Sequence, residues 1–255
     1  MGILCRRTDL LVFSHLRWDF VYQRPQHLMS RFAKFRKVFF IEEPAFGLCE
    51  TPTLHIRSSV EGVQVVTPHF PHPLEPQIQE LALSHFIDDL IEDENLKEYS
   101  LWYYTPMALP FSRHLNPYSI VYDCMDELSL FNGCPPALIE LEKELFAKAD
   151  VVFTGGYSLY EAKQHHHHNI HPMPSSIDHA HFSSAKLVTV DPPDQALIPH
   201  PRLGFFGVID ERMDLDLLAQ MADLRPCWHF IMIGPVVKID EALLPQRENI
   251  HYLGR

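Results

Sequence analysis

The sequence lacks an excess of positive charge. Its 21 Lys and Arg stand against 33 Asp and Glu, a formal net charge of -12 at pH 7. A nucleic-acid backbone needs a basic patch, so this balance argues against nucleic acid as the main partner, while a local patch can still bind a phosphate. No apolar run reaches the ~18 residues of a membrane span. The opening MGILCRRTDLLVF has two arginines but no long apolar stretch with a small-residue cleavage site, so no secretion signal is expected. There is no CxxC pair: Cys5, Cys49, Cys124, Cys134 and Cys227 are odd in number and widely spaced. Free thiols in a reducing cytoplasm are the simplest account. No GxGxxG follows the first strand of either half described below, and no YxxxK pair lies on a helix beyond it, which opposes a nucleotide-sugar epimerase or oxidoreductase. No internal repeat is visible beyond two βα-rich halves.

What is present is an ordinary globular composition, 46% hydrophobic and 21% charged over 255 residues, enough for one large core or two medium ones. The stretch 202–235, RLGFFGVIDERMDLDLLAQMADLRPCWHFIMIGP, reads as strand, glycine turn, helix, strand. The short apolar run LGFF is expected of a buried parallel strand. Asp210 or Asp214 can cap a helix with Leu215, Leu218, Ala219 and Ala222 at helical spacing, closed by Pro226. FIMI is the next strand, and NIHYLGR at the end of the chain reads as a third. A βα unit beginning this late implies a second domain. The expected division is a first domain over 1–183, a proline-rich linker over 184–200, and the opening part of a second domain over 201–255.

The first domain reads as alternating strands and helices. DLLVFS is a buried strand that hands over, through His15, Arg17, Trp18 and Asp19, to a helix starting at Arg24-Pro25. In open α/β sheets ligands sit outside the carboxyl ends of strands, which makes this loop a candidate site. The competing reading is that Trp18 and Tyr22 pack under the loop. KVFFI is a second strand ending in Glu42-Glu43-Pro44; paired acids there can bind sugar hydroxyls or act as bases, although a solvated strand end is the favoured reading. A short third strand is expected at 63–66, then an irregular loop over 67–76. The helix over 77–95 is expected to turn Ile78, Leu81, Ala82 and Phe86 inward and its acids outward as a solvated face, not a metal site. Further strands are expected at 101–104, 119–122, 150–154 and 170–173, with helices after Pro135-Pro136 and over 157–164. The acids Asp123, Asp126 and Glu127 follow the 119–122 strand, and Gly155-Gly156 allows a tight turn or a close approach to a ligand.

The run His165 to His168 with His171 is the oddest local composition. Histidine tracts bind metals, but adjacent helical residues point in different directions, and no Cys or acid lies close in sequence to complete a site. A solvated helix end, where His complements the dipole, is the expected role. No metal site is expected.

Together the halves resemble a bacterial glycosyltransferase of the GT-B fold, in the broad family-4 or group 1 branch. The resembling blocks are FSHLRWDFVYQRPQHLMSRFA, VFFIEEP, YDCMDE, DVVFTGGYSLYEAK, PSSIDHAHF, RLGFFGVIDERMDLDLL and HFIMIGPV. The first is fairly specific to one bacterial branch. The resemblance implies an α/β fold: a doubly wound Rossmann-like sheet, then the first βαβ part of a second. It implies an acceptor on the first domain, a nucleotide-diphospho-sugar donor on the second, and a cleft between them. Gly207 and Val208 would present backbone N–H groups to the diphosphate, with Arg212 supplying positive charge. The plain alternatives are a tight turn and a surface arginine. Ile233 and Gly234 would lie near the nucleotide base. His15 and Arg17 would face the transferred sugar, Asp126 would match an acceptor-side position, and Trp18, Asp19 and Glu43 would line the acceptor side.

By the same resemblance the reaction is sugar transfer to a saccharide or lipid-linked acceptor in cell-envelope polysaccharide synthesis, in the cytoplasm or at the inner leaflet of the membrane. It retains anomeric configuration and needs no metal or other cofactor. The sequence departs from the family at its end: the later βα units, with the acidic EX7E-type segment that grips the donor, are not present. Either the sequence is a fragment of a longer coding sequence or it is a natural truncation that has lost donor binding, and the alternative expectation is a non-catalytic remnant that acts as a binding module.

Overall fold

The computed structural model describes residues 8–131, 133–188 and 190–254, so Cys5 and the opening segment lie outside the described residues. The chain divides after Ser176 into two compact units.

In the first unit, β1 (Asp9–Phe13), α1 (Arg24–Phe32) and β2 (Val38–Ile41) form the opening crossover between parallel strands. There follow β3 (Ala45–Phe46), β4 (Thr53–Ser58), β5 (Gln64–Phe70), α2 (Pro76–Asp93) and β6 (Tyr99–Tyr103). Then come α3 (Leu109–Ser112), β7 (Ser119–Cys124), α4 (Leu138–Lys148), β8 (Val151–Thr154), α5 (Tyr157–Lys163) and β9 (Ile170–Pro172). The sheet order is β3-β5-β2-β1-β6-β7-β8-β9, with β4 paired antiparallel on β5 and every other pair parallel. The order β5-β2-β1 then β6-β7-β8 reverses direction between β1 and β6. That is the topological switch point of a doubly wound sheet, where open α/β folds bind ligands.

Burial on both faces explains the continuous apolar strands. On one face Leu11, Phe13, Phe39 and Tyr103 pack with Ile87 and Leu90 of α2 and Leu145 and Phe146 of α4. On the other Leu10, Val12, Phe40 and Trp102 pack with Met29 of α1. Three expectations need correction. The expected loop over 67–76 begins in strand: β5 runs on to Phe70, and Pro68, which has no N–H, falls beyond Val66, the last residue paired to β2. Helix α2 turns Leu83, Ile87 and Leu90 inward, while Ile78 and Leu81 are exposed and Ala82 and Phe86 are half-buried. Both sets have helical spacing, so periodicity does not choose between them. Strands β3 and β4 were not expected at all.

The second unit holds α6 (His179–Ser183), β10 (Arg202–Phe206), α7 (Leu215–Leu224), β11 (His229–Ile233) and β12 (Ile250–Gly254). A 3-10 turn at Ser184–Leu187 lies inside the expected linker. The sheet is parallel, in the order β10-β11-β12. Asp214 caps α7 by accepting the Leu217 N–H at 2.8 Å, and Leu218 and Ala222 pack on Phe230 and Met232. The expectation of a buried β10 is overturned: Leu203, Phe205 and Phe206 are exposed, because the strand pairs on one side only.

The histidine tract packs more than expected. His166 stacks on Phe146 with ring centroids 5.3 Å apart. His167 makes two bonds: its Nε2 meets the Ala149 carbonyl at 2.9 Å and its Nδ1 accepts the Asn169 N–H at 3.1 Å. Among the described residues, no group of three or more His, Cys, Asp and Glu is placed to hold a metal ion. Cys49, Cys124, Cys134 and Cys227 are free thiols. Among the described residues, no helix is long and apolar enough to cross a membrane.

Candidate functional site

At the switch point of the first unit, a cavity of about 530 Å³ opens over the carboxyl ends of β1, β2 and β6. Phe13 and Ser14 come from β1, Ile41 and Glu42 from β2, and Thr105 from just beyond β6. Apolar strands carry the chain to this edge, and polar residues begin where the strands stop.

The loop after β1 is fixed by two buried side chains from elsewhere. Glu42 accepts the Trp18 N–H at 2.7 Å, an Arg17 guanidinium N–H at 3.1 Å and the Thr67 hydroxyl at 2.8 Å. Gln26 of α1 donates to the Trp18 carbonyl at 2.9 Å and accepts the Gln23 N–H at 3.1 Å. Trp18 is thus held at both backbone groups, while its ring packs edge-on against Phe40 at 5.1 Å. Arg17 also donates to the carbonyls of Glu43 at 2.6 Å and Pro44 at 3.0 Å. Glu42 is therefore a buried, saturated acceptor, and the expected solvated pair of acids divides into one anchoring residue and one facing the cavity. Partial burial raises the Glu43 carboxyl above the usual range, with the Arg17 charge opposing.

The structure brings Arg17, Trp18 and Glu43 together. His15 lies in the same loop. Asp19 is exposed and ion-paired with Arg57 of β4. Asp126 follows β7, which lies beyond β6 from β1, and no contact joins it to Arg17. Its neighbour Asp123 is wholly buried and receives the Arg24 guanidinium at 2.8–3.1 Å, and Arg24 also reaches the Met173 carbonyl. Burial pushes the Asp123 carboxyl up, with Arg24 acting against it. Gly155 must be glycine: a Cβ there would lie 2.3 Å from the Met125 carbonyl oxygen. Sequence reading missed Gln26 and the anchoring role of Glu42. The only available signal was Q three residues after Gln23, the spacing of a capping box.

In the second unit the carboxyl ends of β10 and β11 are bound by two glycines. Gly207 (φ +153°) and Gly234 (φ +143°) both have backbones that L side chains rarely adopt. A Cβ on Gly234 would stand 1.8 Å from the Gly207 carbonyl oxygen. The Gly207 N–H donates to the Ile233 carbonyl at 2.9 Å and the Ile209 N–H to the Pro235 carbonyl at 3.0 Å. Of the turn's three N–H groups, those two are engaged, and the Val208 N–H remains for an external acceptor. Arg212 folds back on Asp210, with nitrogen–oxygen distances of 2.6–3.1 Å, and its hydrogen bonds hold the Asp210 carboxyl below the usual range. Val208 and Arg212 share a groove of about 650 Å³ with Phe205, Met213, Leu217 and Met232.

Two Rossmann-like units in succession, one with a nine-stranded sheet and one with three parallel strands, define a GT-B-like α/β fold. Solved structures of this fold include trehalose-6-phosphate from E. coli bound with UDP-2-fluoro glucose, at TM-score 0.62 and 11% identity, covering 97% of this chain and 74% of that one. An α,α-trehalose-phosphate synthase (UDP-forming) from Burkholderia vietnamiensis matches at TM-score 0.59 and 14% identity, over 98% of this chain and 74% of that one. Anabaena HepE in complex with UDP and glucose matches at TM-score 0.59 and 12% identity, over 97% and 69%. At these identities the likeness shows the fold. No protein-family model and no curated protein matches the sequence.

Proposed function

We propose that this chain is a glycosyltransferase of the family-4-like branch that moves a sugar from a nucleotide-diphospho-sugar to a saccharide or lipid-linked acceptor. The observation that carries this reading is the cavity at the switch point of the first unit, followed by a second unit whose strand ends are closed by paired glycines. The structural neighbours support it, since two of them hold UDP or a UDP-sugar.

In this reading the acceptor occupies the cavity of the first unit, beside Glu43 and the loop carrying His15, Arg17, Trp18 and Asp19. Asp126 stands on the acceptor side. The donor diphosphate meets the Val208 N–H and the Arg212 guanidinium at the Gly207 turn, and the base lies by Ile233 and Gly234. Arg212 must leave Asp210 or share its charge with it. The chemistry is positioning and stabilisation of the leaving diphosphate, without a metal, and with retention of configuration. The setting is cell-envelope polysaccharide synthesis at the cytoplasmic side of the inner membrane.

A second reading is a binding module without transfer, favoured by the Gly207 and Ile209 N–H groups already engaged and Arg212 already paired. A scan of UDP- and GDP-sugars for donor hydrolysis, with thermal shift by each nucleotide, separates the two. The transferase reading expects turnover with one donor and stabilisation by its nucleotide. Stabilisation by sugars alone, with no nucleotide effect and no turnover, selects the binding module.

A further inference from the structure

We infer that the cavity of the first unit takes a neutral or amine-bearing sugar and excludes phosphorylated ones, with Glu43 and Glu80 as its specificity-determining residues. This rests on the reading of that cavity as the acceptor site.

The argument is a charge inventory of the walls. From just beyond β2 come the carboxylates of Glu42 and Glu43, and from the first turns of α2 come Gln79 and Glu80. From β1 and the end of β6 come the hydroxyls of Ser14 and Thr105, each already accepting a nearby backbone N–H, from Leu16 and Met107. Arg113 is the one basic side chain among the described residues lining the cavity, and it is 3.4 Å from Glu144. Arg17 approaches from outside, donates to Glu42, and acts on Glu43 through its charge. The cations, Arg17 and Arg113, are thus shared among Glu42, Glu43 and Glu144, Glu80 has no ion pair among the described residues, and the walls carry an excess of negative charge. A phosphate monoester entering here would meet an excess of like charge at short range.

The remaining walls suit a pyranose. Half-buried Phe111 and exposed Phe46 supply the accessible rings, with buried Phe13 supporting Phe111 edge to face at 5.8 Å. Aromatic faces take the apolar C–H side of a sugar, and carboxylates accept its hydroxyls or pair with an amine.

The test uses the whole chain and matched sets of glucose, galactose and mannose, each as the parent sugar, the 2-amino sugar and the 6-phosphate. Binding is followed by saturation-transfer NMR, with amide exchange over residues 42–46 and 105–111 to locate it. The expected result is that a parent sugar and its 2-amino form bind there and the 6-phosphate binds about tenfold or more weakly. Glu43→Lys is expected to close that gap. Glu80→Lys, at an exposed helical position, is expected to narrow it and keeps the test open if the first variant does not fold. A 6-phosphate that binds as well as its parent, no sugar protecting these segments, or a ratio unmoved by both variants would overturn the inference. UDP binding at residues 207–212 is measured in parallel. Its absence with the sugar selectivity intact counts against the transferase reading alone, and its presence with the selectivity absent counts against this inference alone.

Discussion

β1 and β10 open their respective units with nearly the same kind of sequence, LLVF in one and LGFF in the other, yet one is wholly buried and the other exposed. β1 is paired with β2 on one side and β6 on the other, and helices cover both faces. β10 is paired with β11 alone. An apolar run states a strand's tendency to be buried, and its neighbours decide whether that burial occurs. The polar groups differ in a parallel way. Glu42 gathers partners from 24 to 25 residues away, whereas Asp210 is satisfied by Arg212, two residues on. Order at the first site is built from long-range contacts, and at the second from local ones and from glycine geometry.

The contrast can be broken by mutation. Gly234→Ala is expected to have the largest effect, about 4 kcal/mol, because its methyl overlaps the Gly207 carbonyl and no flexible side chain can yield. Amide exchange over β10 to β12 should accelerate while β1 to β9 are unchanged; equal protection in the two proteins would remove the close approach from the account. Glu42→Ala comes next, at about 3 kcal/mol, because it strands the buried Trp18 N–H and Thr67 hydroxyl. Denaturant midpoints check it against Asp210→Ala, expected to cost about 1 kcal/mol or less since Arg212 is largely exposed.

A smaller effect lies in pH. His251 and His229 meet at 3.0 Å, and burial, then the charge of His229, lowers the affinity of His251 for a proton. The folded pKa is below the unfolded value of 6.5, so the unfolded chain binds more protons and the second unit loses stability as pH falls from about 6.5 through the folded value. His251→Asn should flatten that slope, by about 1 kcal/mol or less across the window, in thermal melts between pH 7.5 and 5. The smallest effect is expected of Phe206→Ser, within about 0.5 kcal/mol, because Phe206 is 73% exposed. A large loss there would show β10 covered in solution.

Much of the fold was legible because buried parallel strands carry their own signal. DLLVF, VFFI and DVVFT need no partner to be recognised, and the βα alternation places their ends. β4 was not legible: TLHIRS on an exposed hairpin resembles a loop, and Pro68 reads as a break where β5 continues to Phe70. The candidate loop after β1 was legible as crowded polar and aromatic residues, but not its supports. Gln26 and Glu42 lie eight and 24 residues from Trp18, and only folding makes them neighbours. The commitment of the Gly207 N–H to Ile233 was hidden for the same reason.

The most direct test of the central proposal is titration of the chain with UDP, read by amide exchange. The account predicts saturable protection confined to residues 207–212 and 233–237, weakened about tenfold or more by Arg212→Ala through loss of a charge-assisted phosphate contact. Absence of saturable UDP binding, or protection elsewhere with Arg212→Ala unchanged from the parent chain, would contradict it.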